Sequence, residues 1–270
     1  MTLILAWPSG DNLCVIADTR LSAGQRVSVD AAPKIYAVPL VLHSPSFADG
    51  PRRYPAMGFA FAGHTAAGHI TNALATAGLQ ALWSKDAPTP PTVGQVADYF
   101  ARCAVVMVEE IRAHYPTDLA SFEGLVFGWE GDGPLAYTFE ITWAEGPTAA
   151  ANSELMDFAK FGLYAIGQGN RVVQEHIDSE WKAGRKATGY SALQAVIAND
   201  SHHSVGGSVQ CAITTKHGVE LKPVLEVDET GRAAGGFIGA GGSHLGPVGN
   251  LSPFGSGPVI INPWPNPHAK

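Results

Sequence analysis

The chain has 270 residues, 46% of them hydrophobic, and a formal net charge of −7, so it can build a sizeable core and has no cationic surplus for nucleic acid or an anionic membrane surface. Three cysteines, Cys14, Cys103 and Cys211, lack finger-like spacing, which points to a reducing compartment and small buried side chains rather than a disulfide framework. The apolar start is short, has no preceding Lys or Arg and is interrupted at Trp7-Pro8, and no later run has membrane-spanning length, so the expected location is the cytoplasm.

Residues 3–7 and 13–17 are apolar runs around Pro8-Ser9-Gly10-Asp11-Asn12, a cluster of turn formers, which predicts a hairpin. Their near-continuous apolarity predicts burial on both faces. Residues 27–29 and 34–38 add strands around Ala31-Ala32-Pro33. Residues 39–55, rich in Pro, Ser, Asp and Arg without a period, read as a loop, and residues 58–62 as another strand. From 65 to 83, Ala66, Ile70, Leu74, Ala77 and Ala81 fall near one helical face, with Gly68 and Gly78 as weak points. Past Pro88–Pro91, Thr92-Val93-Gly94-Gln95 offers a capping box for a helix to about residue 115. Val93, Val96, Phe100, Met107 and Ile111 form its core stripe. Val105, Val106 and Val108 make a further side apolar, which predicts burial between layers or against another subunit.

Residues 125–129 and 135–143 surround Glu130-Gly131-Asp132-Gly133-Pro134 as a second hairpin. Residues 161–166 form a strand, Gly167-Gln168-Gly169-Asn170 leads into a helix to about 182, and 190–198 is the next helix. Residues 208–214 and 219–225 pair around His217-Gly218. This order predicts an α+β fold with a sheet-rich core and helices outside. Beyond Gly231 the composition turns to glycine and then proline, which divides the chain into a domain over 1–230 and a tail over 231–270, either extended, disordered or packed on a neighbour. Gly239-Ala240-Gly241-Gly242 is no phosphate loop, because no Lys-Ser/Thr pair follows and the prolines forbid a helix.

Chemistry enters at Thr2. Removal of Met1 leaves an amine and a hydroxyl on one residue, and an α-amine, with an ordinary pKa of roughly 7.7–8.0, can take the hydroxyl proton near neutral pH. Thr2, Ala17-Asp18-Thr19-Arg20, Ala32-Pro33-Lys34-Ile35 and Phe61-Ala62-Gly63-His64-Thr65, in that order, resemble the proteasome β-subunit branch of the N-terminal nucleophile hydrolases. The resemblance is carried by the chain to about Ala67 and more weakly beyond. It implies a four-layer αββα sandwich in which Thr2 is the nucleophile and Lys34 stabilises the developing alkoxide. Asp18 then holds Lys34 charged and in place, the Gly63 N–H donates to the oxyanion, and Arg20 braces the adjoining loop.

Ala165-Ile166-Gly167-Gln168-Gly169 looks like the family's Gly-Ser-Gly segment, with Gln168 where a serine commonly supports the threonine amine. The family's Asp-x-x-Ser-Gly segment has a loose counterpart from Asp200 to Gly207, with Ser204 displaced by one; one alignment keeps Asp200 and the other keeps the glycines. By the same resemblance Leu21, Ala32, Tyr36, Phe61 and Thr65 border a substrate pocket for small or medium apolar side chains. His64 lines the site without being catalytic. His202 and His203 have no Cys or carboxylate at ligand spacing, so neither a metal nor a cofactor is expected.

The expected activity is hydrolysis of peptide or other amide bonds by an N-terminal threonine. A small-molecule amidase of the same fold and a catalytically silent scaffold subunit are the alternatives. Expected partners are an amide substrate and further copies of the chain in a ring or helical assembly, with an ATP-driven unfoldase admitted and neither nucleic acid nor membrane.

Overall fold

The computed structural model describes residues 2–23, 26–85, 89–115, 120–143, 148–185, 187–199, 203–227, 233–236 and 259–261. β1 (Leu3–Ser9) and β2 (Asn12–Asp18) make the first hairpin, turning at Gly10 with φ 60. β3 (Leu21–Ala23) and β4 (Arg26–Val29) form a short ribbon. β5 (Ile35–His43) pairs antiparallel with β6 (Arg52–Gly63). The loop expected over 39–55 is therefore wrong at both ends. Leu40 and Leu42 are buried and carry β5 onward, while Pro39 falls at the register shift between Val38 and Leu40, where its missing N–H breaks no ladder bond.

α1 (Thr65–Leu79) stops short of the expected 83, because β7 (Leu82–Trp83) pairs with the end of β5. α2 (Val93–His114) opens on the expected capping box: Gln95 N–H donates to Thr92 Oγ1 at 3.1 Å and Thr92 N–H to Gln95 Oε1 at 3.0 Å. Its buried face is Val93, Val96, Ala97, Phe100, Ala101, Cys103, Ala104 and Val108, whereas Met107 and Ile111 are half-buried and Val106 is 57% exposed. The stripe runs over small residues, which let the helix lie close to what it covers.

β8 (Phe122–Glu130) and β9 (Gly133–Glu140) form the second hairpin. The strand expected to reach 143 breaks at the buried Ile141, after which β10 (Thr142–Trp143) pairs with β11 (Ala149–Ala150), while β12 (Ser153–Leu155) returns to β9. β13 (Tyr164–Gly167) begins three residues later than expected and leads into α3 (Asn170–Lys182) and α4 (Gly189–Ile197). β14 (Val209–Thr215) pairs with β15 (Gly218–Lys222). Pro223 ends β15, so the strand expected over 219–225 divides. Its remainder, β16 (Val224–Val227), joins β17 (Ala233–Gly236) and β18 (Val259–Ile261) in a separate three-stranded sheet. Most of the Gly/Pro-rich region lies outside the described residues, and its two described pieces are these last strands.

The fold is α+β, with a five-stranded sheet ordered β13-β1-β2-β14-β15 and a six-stranded sheet ordered β12-β9-β8-β6-β5-β7. One apolar cluster joins α1 and α2 to the six-stranded sheet through Phe59, Phe100 and Phe139. A second, including Ile4, Val15, Ala60 and Phe127, joins the inner faces of the two sheets. A third, including Leu3, Ile16, Val173 and Leu193, joins the five-stranded sheet to α3 and α4. Successive residues of β1 and β2 enter different clusters, as strands buried on both faces require. Among the described residues no helix is long and apolar enough to cross a membrane.

Candidate active site

The hairpin register brings the first expected residues together. Ile4 pairs with Ala17, so the Thr2 end of β1 lies beside Asp18, the last residue of β2. Thr2 is buried, and its carbonyl accepts from the Gln168 N–H at 3.0 Å. Gly167, at φ 90, leaves room for that approach, since a Cβ there would lie 2.0 Å from the Thr2 oxygen.

Asp18 is the hub. Its Oδ1 accepts from the Leu3 N–H at 2.9 Å, and its Oδ2 from Lys34 Nζ at 2.9 Å, Gly206 N–H at 3.0 Å and Arg20 N–H at 3.2 Å. Both members of the Asp18–Lys34 pair are 0% exposed at the side chain. Burial pushes the Asp18 carboxyl up and the Lys34 ammonium down, and their mutual attraction opposes both shifts. A carboxylate with four N–H donors is well compensated, so the pair tolerates a burial that would neutralise either group alone. Lys34 stands just before β5, and Gln210 of β14 reaches its backbone N–H with Oε1 at 2.8 Å.

Gly63 ends β6 at φ 122, where an added Cβ would sit 2.8 Å from the Phe122 Cα and the Ser121 carbonyl oxygen. The Phe61 N–H donates to the Lys34 carbonyl at 3.3 Å. Strand amides alternate between edges, so the Gly63 N–H falls on the same edge as that of Phe61, beyond the first residue of β5 and on the Lys34 side. His64, expected to line the site, caps α1: its Nδ1 accepts from the Ala67 N–H at 3.2 Å.

The loop ahead of β14 is tied to the same corner. Thr19 and Arg20 donate their N–H groups to the Gly206 carbonyl, and Ser208 N–H donates to Thr19 Oγ1 at 2.8 Å. Arg20, expected to brace the adjoining loop, has its Nε 2.6 Å from Asp30 Oδ1 and its guanidinium donating to the His203 carbonyl at 3.4 Å. Ser204 Oγ donates to Gln168 Oε1 at 2.6 Å. Gln168 and Ser204, expected at separate points of the chain, are thus joined to each other. Asp200, like His202, lies outside the described residues.

Of the residues expected to border a substrate pocket, Leu21, Tyr36 and Thr65 are half-buried, while Ala32 and Phe61 are almost wholly covered. Phe61 is as much core as lining, because its ring fills the space against Gly68 of α1 and stacks 6.5 Å from Tyr36. His69 was not among the expected residues, yet it stands at this wall with its ring 5.1 Å from Phe61 and its Nδ1 2.6 Å from the Tyr36 hydroxyl. Thr65 and His69 are spaced i, i+4, the signal that could have found it. The Tyr36 hydroxyl is also 2.9 Å from the Pro33 carbonyl, which can only accept. Both contacts are satisfied when Tyr36 donates to Pro33 and the His69 Nδ1–H donates to the Tyr36 oxygen, leaving Nε2 of the neutral ring as an acceptor. Gln210 was also missed, and a lone glutamine in an apolar strand carries no sequence signal.

No protein-family model and no curated protein matches this chain.

What the corner can do chemically therefore rests on its own geometry. A buried ammonium fixed by a carboxylate that also holds the N–H of the residue after Thr2 can stabilise negative charge that develops on a nearby oxygen. Among the described residues no group of three or more His, Cys, Asp or Glu could hold a metal ion. A groove of about 1310 Å³ lies at the other end of β1, among Trp7, Phe161 and Trp181, and holds none of the expected site residues.

Proposed function

We propose that this chain is a cytoplasmic amide hydrolase of the N-terminal nucleophile kind, a proteasome-like peptidase subunit whose nucleophile is Thr2 once Met1 is removed. The observation that carries the reading is the fully buried Lys34–Asp18 pair, whose carboxylate also takes the N–H of the residue after Thr2. A buried ion pair is expensive to build, and a surface brace would not need one. The order of the three apolar clusters supports the finer assignment of the fold as a four-layer αββα sandwich over 1–230, with the Gly/Pro-rich tail after it.

In this reading the Thr2 hydroxyl oxygen attacks the amide carbonyl carbon while its proton passes to the Thr2 amine. Lys34 keeps that amine from holding a proton beforehand and stabilises the alkoxide. The Gly63 N–H donates to the oxyanion, the leaving nitrogen takes the proton, and water then hydrolyses the ester on Thr2. Gln168 and Ser204, joined to each other, support the amine in place of two serines. Leu21, Ala32, Tyr36, Phe61 and Thr65 border the substrate side chain. Further copies of the chain complete the assembly.

The reading requires Thr2 to become the amino terminus. Protein purified from a cytoplasmic source is expected to have an intact mass lacking one methionine, and an electrophile selective for N-terminal threonine should label Thr2 and stop turnover. Active protein that retains Met1 would end the threonine mechanism and favour the silent scaffold alternative.

A further inference from the structure

Gln210 lies in β14 opposite Ala17 of β2, next to Val209, which faces Asp18. It is a polar side chain only 2% exposed. Its carboxamide leaves its own sheet and reaches the first residue of β5 in the other. Oε1 accepts from the N–H groups of Lys34 at 2.8 Å and Ile35 at 2.9 Å, and Nε2 donates to the Ile35 carbonyl at 2.6 Å. β5 has no neighbouring strand on that edge here, because β7 pairs only with Leu42 and His43. The amide therefore supplies one residue of strand pairing to buried backbone groups that would otherwise lack it. Lys34 is thereby gripped twice from neighbouring strands of one sheet, its backbone by Gln210 of β14 and its ammonium by Asp18 of β2.

We propose that Gln210 is a positioning residue that sets the backbone from which Lys34 reaches Asp18, and so places the ammonium beside Thr2. A second-sheet clamp is needed because Lys34 precedes β5 and follows Pro33, which has no N–H of its own to anchor the turn. The consequence for turnover rests on the hydrolase reading of the site; the consequence for Lys34 does not.

Acetylation of the folded, full-length chain with the N-hydroxysuccinimide ester of acetic acid, quantified by peptide mass, reads the placement of Lys34 directly. In the wild type Lys34 should label far more slowly than the exposed Lys216. Gln210→Leu should raise Lys34 labelling about tenfold, since it leaves two buried N–H groups and a carbonyl unpaired, with Lys216 unchanged. It should also lower kcat by about tenfold to a hundredfold at constant KM, as expected for a displaced charge. Gln210→Glu keeps both accepting bonds and should hold Lys34 labelling within about threefold of wild type. A folded Gln210→Leu whose Lys34 labels at the wild-type rate, or whose kcat is unchanged, overturns the inference. If that variant does not fold, Gln210→Glu decides, and a tenfold rise in its labelling counts against the clamp. A wild type with no amide turnover sinks the hydrolase reading alone and leaves labelling to decide the role of Gln210.

Discussion

Lys34 and Asp18 are worth more to each other than either is to the fold. Replacing Lys34 by Met leaves a buried carboxylate without its cation, which should cost about 3–5 kcal/mol of stability. Adding Asp18→Asn removes the second charge and should recover part of that loss. Recovery is incomplete because Asn offers one accepting oxygen to the Leu3 and Gly206 amides that now use two. Denaturant titration measures both steps, while turnover in the double variant should stay lower by on the order of 10² to 10³. A double variant that regains turnover would show that the charge is structural only. His69 gives a pH dependence. Burial first, and repulsion from Lys34 second, lower its pKa below the ordinary 6.5. The unfolded chain then takes up a proton that the folded chain refuses, so stability due to neutral His69 is complete above pH 6.5 and is lost as pH falls through the window beneath it. Its ring resonances should titrate below 6.5 by NMR, and Lys34→Met should raise the midpoint; a wild-type midpoint at or above 6.5 contradicts the geometry. Thr2, Asp18, Lys34 and Gly63 were singled out in the sequence by the resemblance of the segments that carry them, and the structure joins Asp18 to Lys34 and to the residue after Thr2. His69 and Gln210 were not, since their partners are distant in sequence and nothing in either residue type announces a contact.

Among the elements, those with local punctuation read correctly and those defined by a partner did not. The hairpin at Gly10, the helix opened by Thr92 and Gln95, and the helix after Asn170 follow from turn formers, a capping box and a glycine, all short-range signals. β5 and β6 run into the stretch 44–51 from both sides because each supplies the other with backbone hydrogen bonds, which outweighs the poor strand propensity of Pro, Ser and Arg. β7 is the same case: two residues count as a strand only because Leu42 and His43 lie beside them. The break at Pro223 was visible as a residue but not as an event, since the residue that ends β15 could equally have sat on an edge.

For the whole molecule, the apolar outer faces of the helices make a prediction of their own. Ile70 and Leu74 on α1 and Val106 on α2 are 42%, 40% and 57% exposed, while the opposite sides of these helices pack on the six-stranded sheet. Repeated copies related by a closed or helical operator would cover them. Light scattering should give a mass well above the 28.3 kDa of one chain, and Ile70→Glu with Val106→Glu should return it to that value. A wild-type monomer at high micromolar concentration would remove the assembly from the reading. The sequence by itself determined the α+β class, the existence of the first hairpin and the capped start of α2, because turn chemistry and hydrophobic period act over a few neighbours. Only the tertiary structure decided that Leu3, Lys34 and Gly206 converge on the carboxylate of Asp18, and that Ser204 donates to Gln168. These contacts include one across 188 residues of sequence, between Gly206 and Asp18, and are chosen by how two sheets bury their inner faces against each other rather than by any local preference.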